Sequence, residues 1–559
     1  MTYLVEKCNY DRSIFIEDII RLLALVSWIK KNPVRTAKLY TLNLILADCF
    51  RKWCLDQKID LDVQLVSTKY SIVGYAKKKL LKPILFVWGG YWLILKYIKA
   101  RPLRNLGKKE WINAPKGITF ASYFFNYDAR KAKKGNFQSH FWGSLPSVLK
   151  KRKVFSRWIH LWGPFDEEAQ FKKIACLIKK INLKQKNFQA ITVLESFLEK
   201  KFLAQCLKDY IKVAWKSWIL SKKKIIPKME GLEIWPFFAK QWEMGSLGSA
   251  AMSNLYSFHL FKQAFQKNLS SPLVYLMENQ PWELGMIQAW RKRQKGSVVG
   301  FPHSTVRFWD LRYFFDERTN LDTGKSNSPP KPDMVAVHSK QAHKALSDAS
   351  YPPQSLIRVE ALRFQNGKRI EPKKNAKKKI ILQKSKKLKL GLFTDFNKNL
   401  SEFQLFMLSQ VSDKTLNRFQ IFIKSHPANQ IEINNYQKLK INNKKISARQ
   451  LLVQCDLVFT SNSTSVAFEA YSLGIPVITA VNPERFNYSP FFNQNKVTFV
   501  RSPKELENAL QKVAKMWVSP TNRKAKKISS KLLLWEMLLS KCLKLSEDPE
   551  KSSKKLIRK

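Results

Sequence analysis

What constrains this chain most is a recurring unit: a short apolar run, a polar turn, then an amphipathic helical stretch. Residues 117–125, 158–162, 190–194, 273–277, 297–301 and 333–337 are such runs, with turn residues such as Asn126, Gly163-Pro164, Glu278 and Pro302-His303 behind them. A strand that is apolar throughout is buried on both faces, and strands joined through helices must run parallel. After a lysine-rich stretch the pattern restarts at 388–393 and continues at 421–423, 456–459 and 475–479. Two such blocks predict an α/β fold of two Rossmann-like domains facing a central cleft, with ligands at the carboxyl ends of the strands. The expected segments are a mostly helical region at 1–110, an acceptor-side domain at 111–365, a linker at 366–387 holding a short strand at 380–382, a donor-side domain at 388–542 and a disordered basic tail at 543–559. Ile16, Ile19, Ile20 and Leu23 show the helical spacing of the first segment.

A chain of 559 residues is too long for one core, and its 45% hydrophobic content excludes general disorder. Lys+Arg is 100 against Asp+Glu 42, a net charge of +58. Such a field attracts nucleic acid, acidic lipid or phosphorylated substrates. Part of the surplus is solvated surface of a lysine-rich composition; the remainder is assigned to anionic membrane or a polyphosphorylated lipid acceptor. The lysines spread along the entire chain, so no specific nucleic-acid partner is expected, although weak salt-sensitive RNA binding follows from charge alone. The 7 cysteines are odd in number and form no CxxC pair. That is neither a disulfide framework nor a zinc site, and reads as a reduced cytosolic protein. The N-terminus lacks the continuous apolar core of a signal peptide. Residues 83–95 form an apolar, aromatic run flanked by Lys77–Lys79, Lys96, Lys99 and Arg101. The run is too short to span a bilayer. A buried core helix is the preferred reading, and an interfacial helix at the inner face of the plasma membrane the alternative.

The chemistry concentrates in Lys424-Ser425-His426-Pro427 and in the stretch from Asp456 to Ile478, which contains Thr460-Ser461-Asn462-Ser463-Thr464-Ser465. Both follow predicted strands, so both face the carboxyl edge of one sheet. The hydroxyl cluster opens a helix, where free N–H groups and hydroxyls suit a phosphate. Simple N-capping accounts for one or two of these hydroxyls but not for the whole run. Glu469 lies at i+4 from Ser465 and can accept from ribose hydroxyls. His426 can donate to a phosphate oxygen and offset the charge of a departing nucleotide. A loop histidine fixed by its proline is the plainer reading.

Taken in order, the His-Pro element, the Ser/Thr cluster, Phe468-Glu469-Ala470 and Leu473-Gly474-Ile475-Pro476-Val477 resemble the donor half of GT-B glycosyltransferases. The likeness is nearest to sialyltransferases, capsule Kdo transferases and CDP-glycerol polymerases. It implies that His426, Pro427, Ser463, Thr464 and Ser465 contact the donor phosphate and matches Glu469 to the helix glutamate; Lys424, Ser461 and Asn462 are further donor-binding candidates beside them. Upstream, Phe120-Ala121-Ser122-Tyr123-Phe124 leading to Asp128, residues 139–146, Trp158-Ile159-His160, residues 278–283 and His303-Ser304-Thr305-Val306-Arg307 resemble a bacterial surface carbohydrate biosynthesis family. That resemblance implies a pathway, not a reaction.

An acceptor hydroxyl needs a base, for which Asp128, Glu278, Glu283 and His303 are candidates at predicted strand ends. Glu278 and Glu283 can instead cap the following helix, and Asp128 can close a turn. Arg307, Arg485 and Asp395 are additional candidates, the arginines as bidentate phosphate partners. No cofactor is expected beyond a nucleotide-sugar co-substrate, and no metal. The Asp60-Leu61-Asp62 pair is read as a chance pair in a turn. No Walker A, GxGxxG or GxSxG pattern occurs, which leaves ATP hydrolysis, dinucleotide redox and serine hydrolysis without support. The reading is a metal-independent glycosyltransferase moving a sugar from a nucleotide-activated donor, CMP-linked in the narrower form, to a lipid-linked or growing surface glycan. A non-hydrolysing nucleotide-sugar epimerase shares the two-lobed fold, but its Ser-Gly-Gly turn would be Ser463-Thr464-Ser465 here. A basic nucleic-acid- or membrane-surface-binding protein is the non-enzyme alternative.

Overall fold

The structure is a computed structural model. It describes residues 6–9, 13, 15–65, 78–124, 127–162, 168–199, 201–222, 227–267, 269, 271–307, 309–315, 329–362, 387–427, 429–439, 441–443, 446–492, 497–516 and 531–547. The chain divides into two compact units. The first comprises Met1–His303, Leu311–Arg363 and Leu532–Lys559; the second comprises Ser304–Asp310 and Phe364–Lys531.

The N-terminal part of the first unit is helical, with two short parallel strands, β1 (Thr36–Thr41) and β2 (Asp60–Leu65). The helices Ile16–Lys31 and Leu44–Asp56 bury Leu22, Val26, Phe50 and Trp53 in a common core with Leu232 and Phe237. The Asp60-Leu61-Asp62 pair opens β2, so it lies in a strand and not in the turn expected from sequence. Its alternate half-buried pattern shows why: Leu61 packs inward while Asp62 points out, 3.9 Å from Lys38 Nζ.

The main sheet of this unit contains β3 (Gly117–Tyr123), β4 (Phe155–Leu161), β5 (Gln189–Val193) and, beyond a small hairpin of β6 (Lys228–Met229) and β7 (Leu232–Glu233), β8 (Leu273–Leu276), β9 (Val298–Phe301), β10 (Met334–Val337) and β11 (Leu356–Arg358). All its pairings are parallel, in the order β11-β10-β9-β8-β3-β4-β5. The sheet grows one way from β3 through β4 and β5, then the other way through β8 to β11. The reversal between β3 and β8 leaves a crevice at their carboxyl ends. Phe120, Trp158, Ile191, Val274, Val299 and Ala336 fill the core on one face with Trp142 and Ile178.

The helix Leu533–Glu547 also belongs to this core, through Trp535, Leu538, Leu539 and Cys542. Glu360 anchors its start: the carboxylate accepts from the N–H groups of Leu534 and Trp535 at 2.9 and 3.1 Å, and the Trp535 indole donates to the Glu360 carbonyl at 2.9 Å. Residues expected in the donor-side domain and the tail therefore complete the first unit, because a large buried indole has its matching hole there.

The second unit holds β12 (Leu388–Phe393), β13 (Phe419–Lys424), β14 (Asn442–Asn443), β15 (Leu457–Ser461), β16 (Val477–Ala480) and β17 (Thr498–Val500), all parallel, in the order β14-β13-β12-β15-β16-β17. Again the reversal sits beside the first strand, between β12 and β15. Leu390 and Leu392 face a core with Leu405, Leu408 and Leu510, while Phe393 faces another with Ala467 and Phe491, as side-chain alternation along a doubly covered strand requires. The fold is thus α/β and GT-B-like, two Rossmann-like units with a mostly helical N-terminal region. Residues 366–386 of the predicted linker, including its strand at 380–382, and residues 548–559 of the tail lie outside the described residues. Among the described residues, no helix is long and apolar enough to cross a membrane.

Candidate functional site

In the second unit the ends of β12, β13 and β15 bring the predicted residues together at the reversal point. Asp395 is the hub. It is fully buried, and its Oδ2 accepts from the hydroxyls of both Ser461 and Ser463. Its Oδ1 accepts from the Asn397 N–H at 2.9 Å, and its own N–H donates to Ser401 Oγ at 3.0 Å. Thr394, one residue earlier, accepts from the His426 N–H at 3.0 Å and so ties the end of β13 to that of β12.

The six-residue polar run divides accordingly. Ser461, Asn462 and Ser463 are buried, whereas Thr464 and Ser465 are half-buried at the surface. Asn462 donates to the Phe486 carbonyl at 3.0 Å. The Thr464 hydroxyl accepts from the Val466 N–H at 3.3 Å, and Ser465 makes no side-chain cap on the helix Val466–Ser472. The hydroxyls of the run do not all turn outward to a ligand: those of Ser461 and Ser463 donate to Asp395, because a buried carboxylate must be satisfied. No residue of 461–465 adopts a positive φ, so this turn has no need of glycine.

His426 and Glu469 are half-buried, Lys424 is half-buried and Pro427 is exposed. Burial lowers the His426 pKa, opposed by the charge of Asp395. The exposed Phe396 ring meets the His426 imidazole edge-on, centroids 6.2 Å apart. Arg307 reaches the loop, its guanidinium donating to the Ser463 carbonyl; Trp309 stacks on Phe486, centroids 4.5 Å apart. Arg307 thus braces the loop backbone, a role that its sequence position did not reveal. Arg485 is exposed in a turn closed by its N–H to the Asn482 carbonyl at 3.0 Å.

In the first unit, His303 follows β9 and Glu278 follows the adjacent β8. His303 Nε2 lies 3.4 Å from Glu278 Oε1, and the Phe141 ring packs edge-on against the imidazole at 4.5 Å. His303 is buried and Glu278 partly open, so the carboxylate can orient the imidazole while the pair remains reachable. The turn that delivers Glu278 uses Asn279 at φ 54, a left-handed conformation that Asn tolerates better than most residues. Nearby, the Trp282 indole donates to the Tyr123 hydroxyl at 3.0 Å, joining the ends of β3 and β8.

Glu283 is buried and accepts from the N–H groups of Glu278 (3.0 Å), Asn279 (2.9 Å) and Gln280 (3.1 Å). It closes a capping box on the helix Pro281–Arg291. Burial pushes its carboxyl well above the usual range, while those N–H groups pull it back. Asp128 caps the short helix Ala129–Lys133, accepting from Arg130 and Lys131 N–H groups at 3.0 and 3.1 Å. Both carboxylates are occupied with backbone, which leaves Glu278 and His303 as the pair in a position to handle a proton. Among the described residues, no group of three or more His, Cys, Asp or Glu could hold a metal ion.

No family model matches this chain, and no curated protein sequence matches it. Among solved structures it is similar to MurG of Acinetobacter baumannii, with 12% identity over 77% of this chain and 95% of that one and a TM-score of 0.34. Similarity also extends to a UDP-GlcNAc 2-epimerase of Neisseria meningitidis bound to UDP-GlcNAc (11% identity, 76% and 100% covered, TM-score 0.40). Anabaena Alr3699/HepE in complex with UDP is a third (12% identity, 78% and 100% covered, TM-score 0.35). Likeness at this level carries no reaction or substrate from those proteins to this chain.

Proposed function

We propose that this protein is a glycosyltransferase that moves a sugar from a nucleotide-activated donor, a cytidine-linked acidic sugar in the narrower reading, to a lipid-linked or growing glycan of a bacterial surface polysaccharide. The observation that carries the reading is the meeting of Asp395, His426 and the 461–465 loop at the reversal point of a parallel sheet. That is where open α/β sheets bind ligands, and His426 and Ser463–Ser465 are residues of the donor-half resemblance.

In this reading the half-buried Thr464 and Ser465 hydroxyls and His426 face the donor phosphate. Asp395 works from behind, fixing the loop through Ser461 and Ser463. As the bond from the anomeric carbon to the phosphate oxygen breaks, negative charge grows on the leaving nucleotide, and a donor group at His426 stabilises it. Glu469 holds the ribose. On the acceptor side, His303 takes the hydroxyl proton, with Glu278 orienting the imidazole and stabilising its charged form.

The test is a thermal-shift screen against CMP, CDP, UDP, GDP, TDP and their sugar conjugates, on the wild type and on His426→Ala and Glu469→Ala. A ligand at about 100 times its dissociation constant stabilises the fold by about 2.7 kcal/mol. The expected result is stabilisation by one nucleotide, lost in both variants. No response to any nucleotide, or a response that both variants keep, would sink the reading.

A further inference from the structure

The helix Lys78–Ala100 does not bury its apolar run, contrary to the preferred sequence reading. Leu93 and Ala100 point inward, but Ile84, Val87, Trp88, Tyr91, Ile94 and Ile98 are all exposed. Their spacing of three and four residues puts them in one stripe along the helix. The helix Phe202–Lys222 crosses it closely: Phe86 stacks on Tyr210 at 4.9 Å, and Gly89 leaves no room for a Cβ beside the Tyr210 hydroxyl. This second helix repeats the arrangement. It buries Phe202, Cys206 and Tyr210 and exposes Ile211, Trp215, Trp218 and Ile219. Val87 is 69% exposed, Ile211 58% and Trp215 60%. Two touching helices that each turn an aromatic-rich stripe to solvent exceed the scattered apolar residues of an ordinary surface.

The basic residues say what covers them. Lys99 and Arg101 are exposed at the end of the first stripe, and Lys208, Lys212 and Lys216 are exposed along one edge of the second. The first helix carries no acidic residue. The second carries one, Asp209, which is engaged with His259 Nε2 at 3.0 Å. Trp and Tyr between an apolar phase and water, flanked by lysines whose stems reach along the apolar surface, are the composition of helices lying in an anionic bilayer interface. A protein partner of ordinary composition offers no such excess of negative charge, whereas an acidic leaflet does.

We infer that the paired helices Lys78–Ala100 and Phe202–Lys222 form a docking face for an anionic lipid bilayer, inserting Val87, Trp88, Ile211 and Trp215 among the headgroups with Lys208, Lys212 and Lys216 on the lipid phosphates. The inference does not rest on the transferase reading. It would place the protein where lipid-linked acceptors are found.

The test is co-sedimentation of the full chain with phosphatidylcholine vesicles, with and without about 30% phosphatidylglycerol. Wild type should bind the anionic vesicles at least about tenfold more tightly than neutral ones. Trp88→Glu/Trp215→Glu should lower partitioning by about tenfold or more, with an unchanged melting temperature and an unchanged nucleotide response. A second variant, Lys208→Glu/Lys212→Glu/Lys216→Glu, should weaken binding and abolish the preference for anionic lipid. Failure of wild type to bind anionic vesicles would overturn the inference. So would binding that the tryptophan variant leaves intact, which would be charge alone, or a solution dimer that the same variant dissociates, which would make the face a contact between copies.

Discussion

His160 lies within β4 with no exposure to solvent, opposite Ser122 on β3. Aromatic rings surround it, with Phe137 at 5.0 Å, Phe124 at 5.2 Å and Trp158 at 6.0 Å between centroids. Burial lowers its pKa to about 3, the backbone at Ser122 and Tyr123 acting weakly in the opposite direction. An unfolded chain protonates this side chain near pH 6.5. The folded pKa is thus below the unfolded one, so the stability it contributes is complete above pH 6.5 and is lost as pH falls from there toward 3. Between pH 7 and pH 5 the loss amounts to about 2 kcal/mol, since each pH unit well below 6.5 costs about 1.4 kcal/mol. The comparison that isolates it is urea unfolding of the wild type and His160→Phe at both pH values. Phenylalanine occupies a similar space but cannot titrate. Tryptophan fluorescence follows the right transition, because of 17 tryptophans only Trp309 and Trp517 fall within the second unit. Contributions common to both proteins cancel in the difference. Wild type should lose about 2 kcal/mol more than the variant on acidification. Equal losses would show that His160 is hydrated or charged in the folded state and would refute the argument.

Asp395→Ala removes the acceptor of two buried hydroxyls and one N–H, and hydrogen bonds to a charged group contribute about 1.5–3 kcal/mol each. Allowing for rearrangement, the second unit should lose about 3–4 kcal/mol in calorimetry, and Asp395→Asn clearly less; a wild-type transition in the alanine variant would show that the hub is not a hub. Trp535→Ala should cost the first unit about 3–5 kcal/mol and leave the second unit's transition in place; hydrogen exchange would locate the loss, and protection lost in 388–516 instead would contradict the assignment of the C-terminal helix.

The strands were legible because both sheets are doubly covered. Leu388–Phe393 has the bounds that its apolar run predicts, and every other predicted strand within the described residues is present with its ends moved by a few positions. What escaped in these two sheets was short or weakly apolar: β11, β14 and β17 lie at sheet edges, where only part of a strand is buried. Residues 533–547 fall outside the unit expected for them for another reason. Periodicity identifies an apolar face, but Trp535 and Leu538 say nothing about which of two cores that face completes. The run at 83–95 shows the converse limit: its residues are apolar enough for a core, and only the neighbours they lack reveal that they are a surface.

The site separates along a finer line. Residues that end parallel strands reach the carboxyl edge by topology alone, which is why Asp395, His426, the 461–465 loop, Glu278 and His303 could be nominated from sequence. Topology does not set the direction in which a side chain then turns. Glu278 and Glu283 stand in one turn, yet Glu283 folds back to satisfy three N–H groups at the start of its helix, while Glu278, carried outward by the left-handed Asn279, meets His303. Ser463 and Thr464 divide in the same way, one hydroxyl drawn inward by Asp395 and the next left at the surface. In both units the inward choice goes to the group that a buried partner would otherwise leave unsatisfied, at a cost of about 1–3 kcal/mol. Which residues are placed to act on a ligand therefore depends on which ones the backbone and the buried carboxylates draw inward, and that choice rests on three-dimensional contacts that no spacing in the chain encodes.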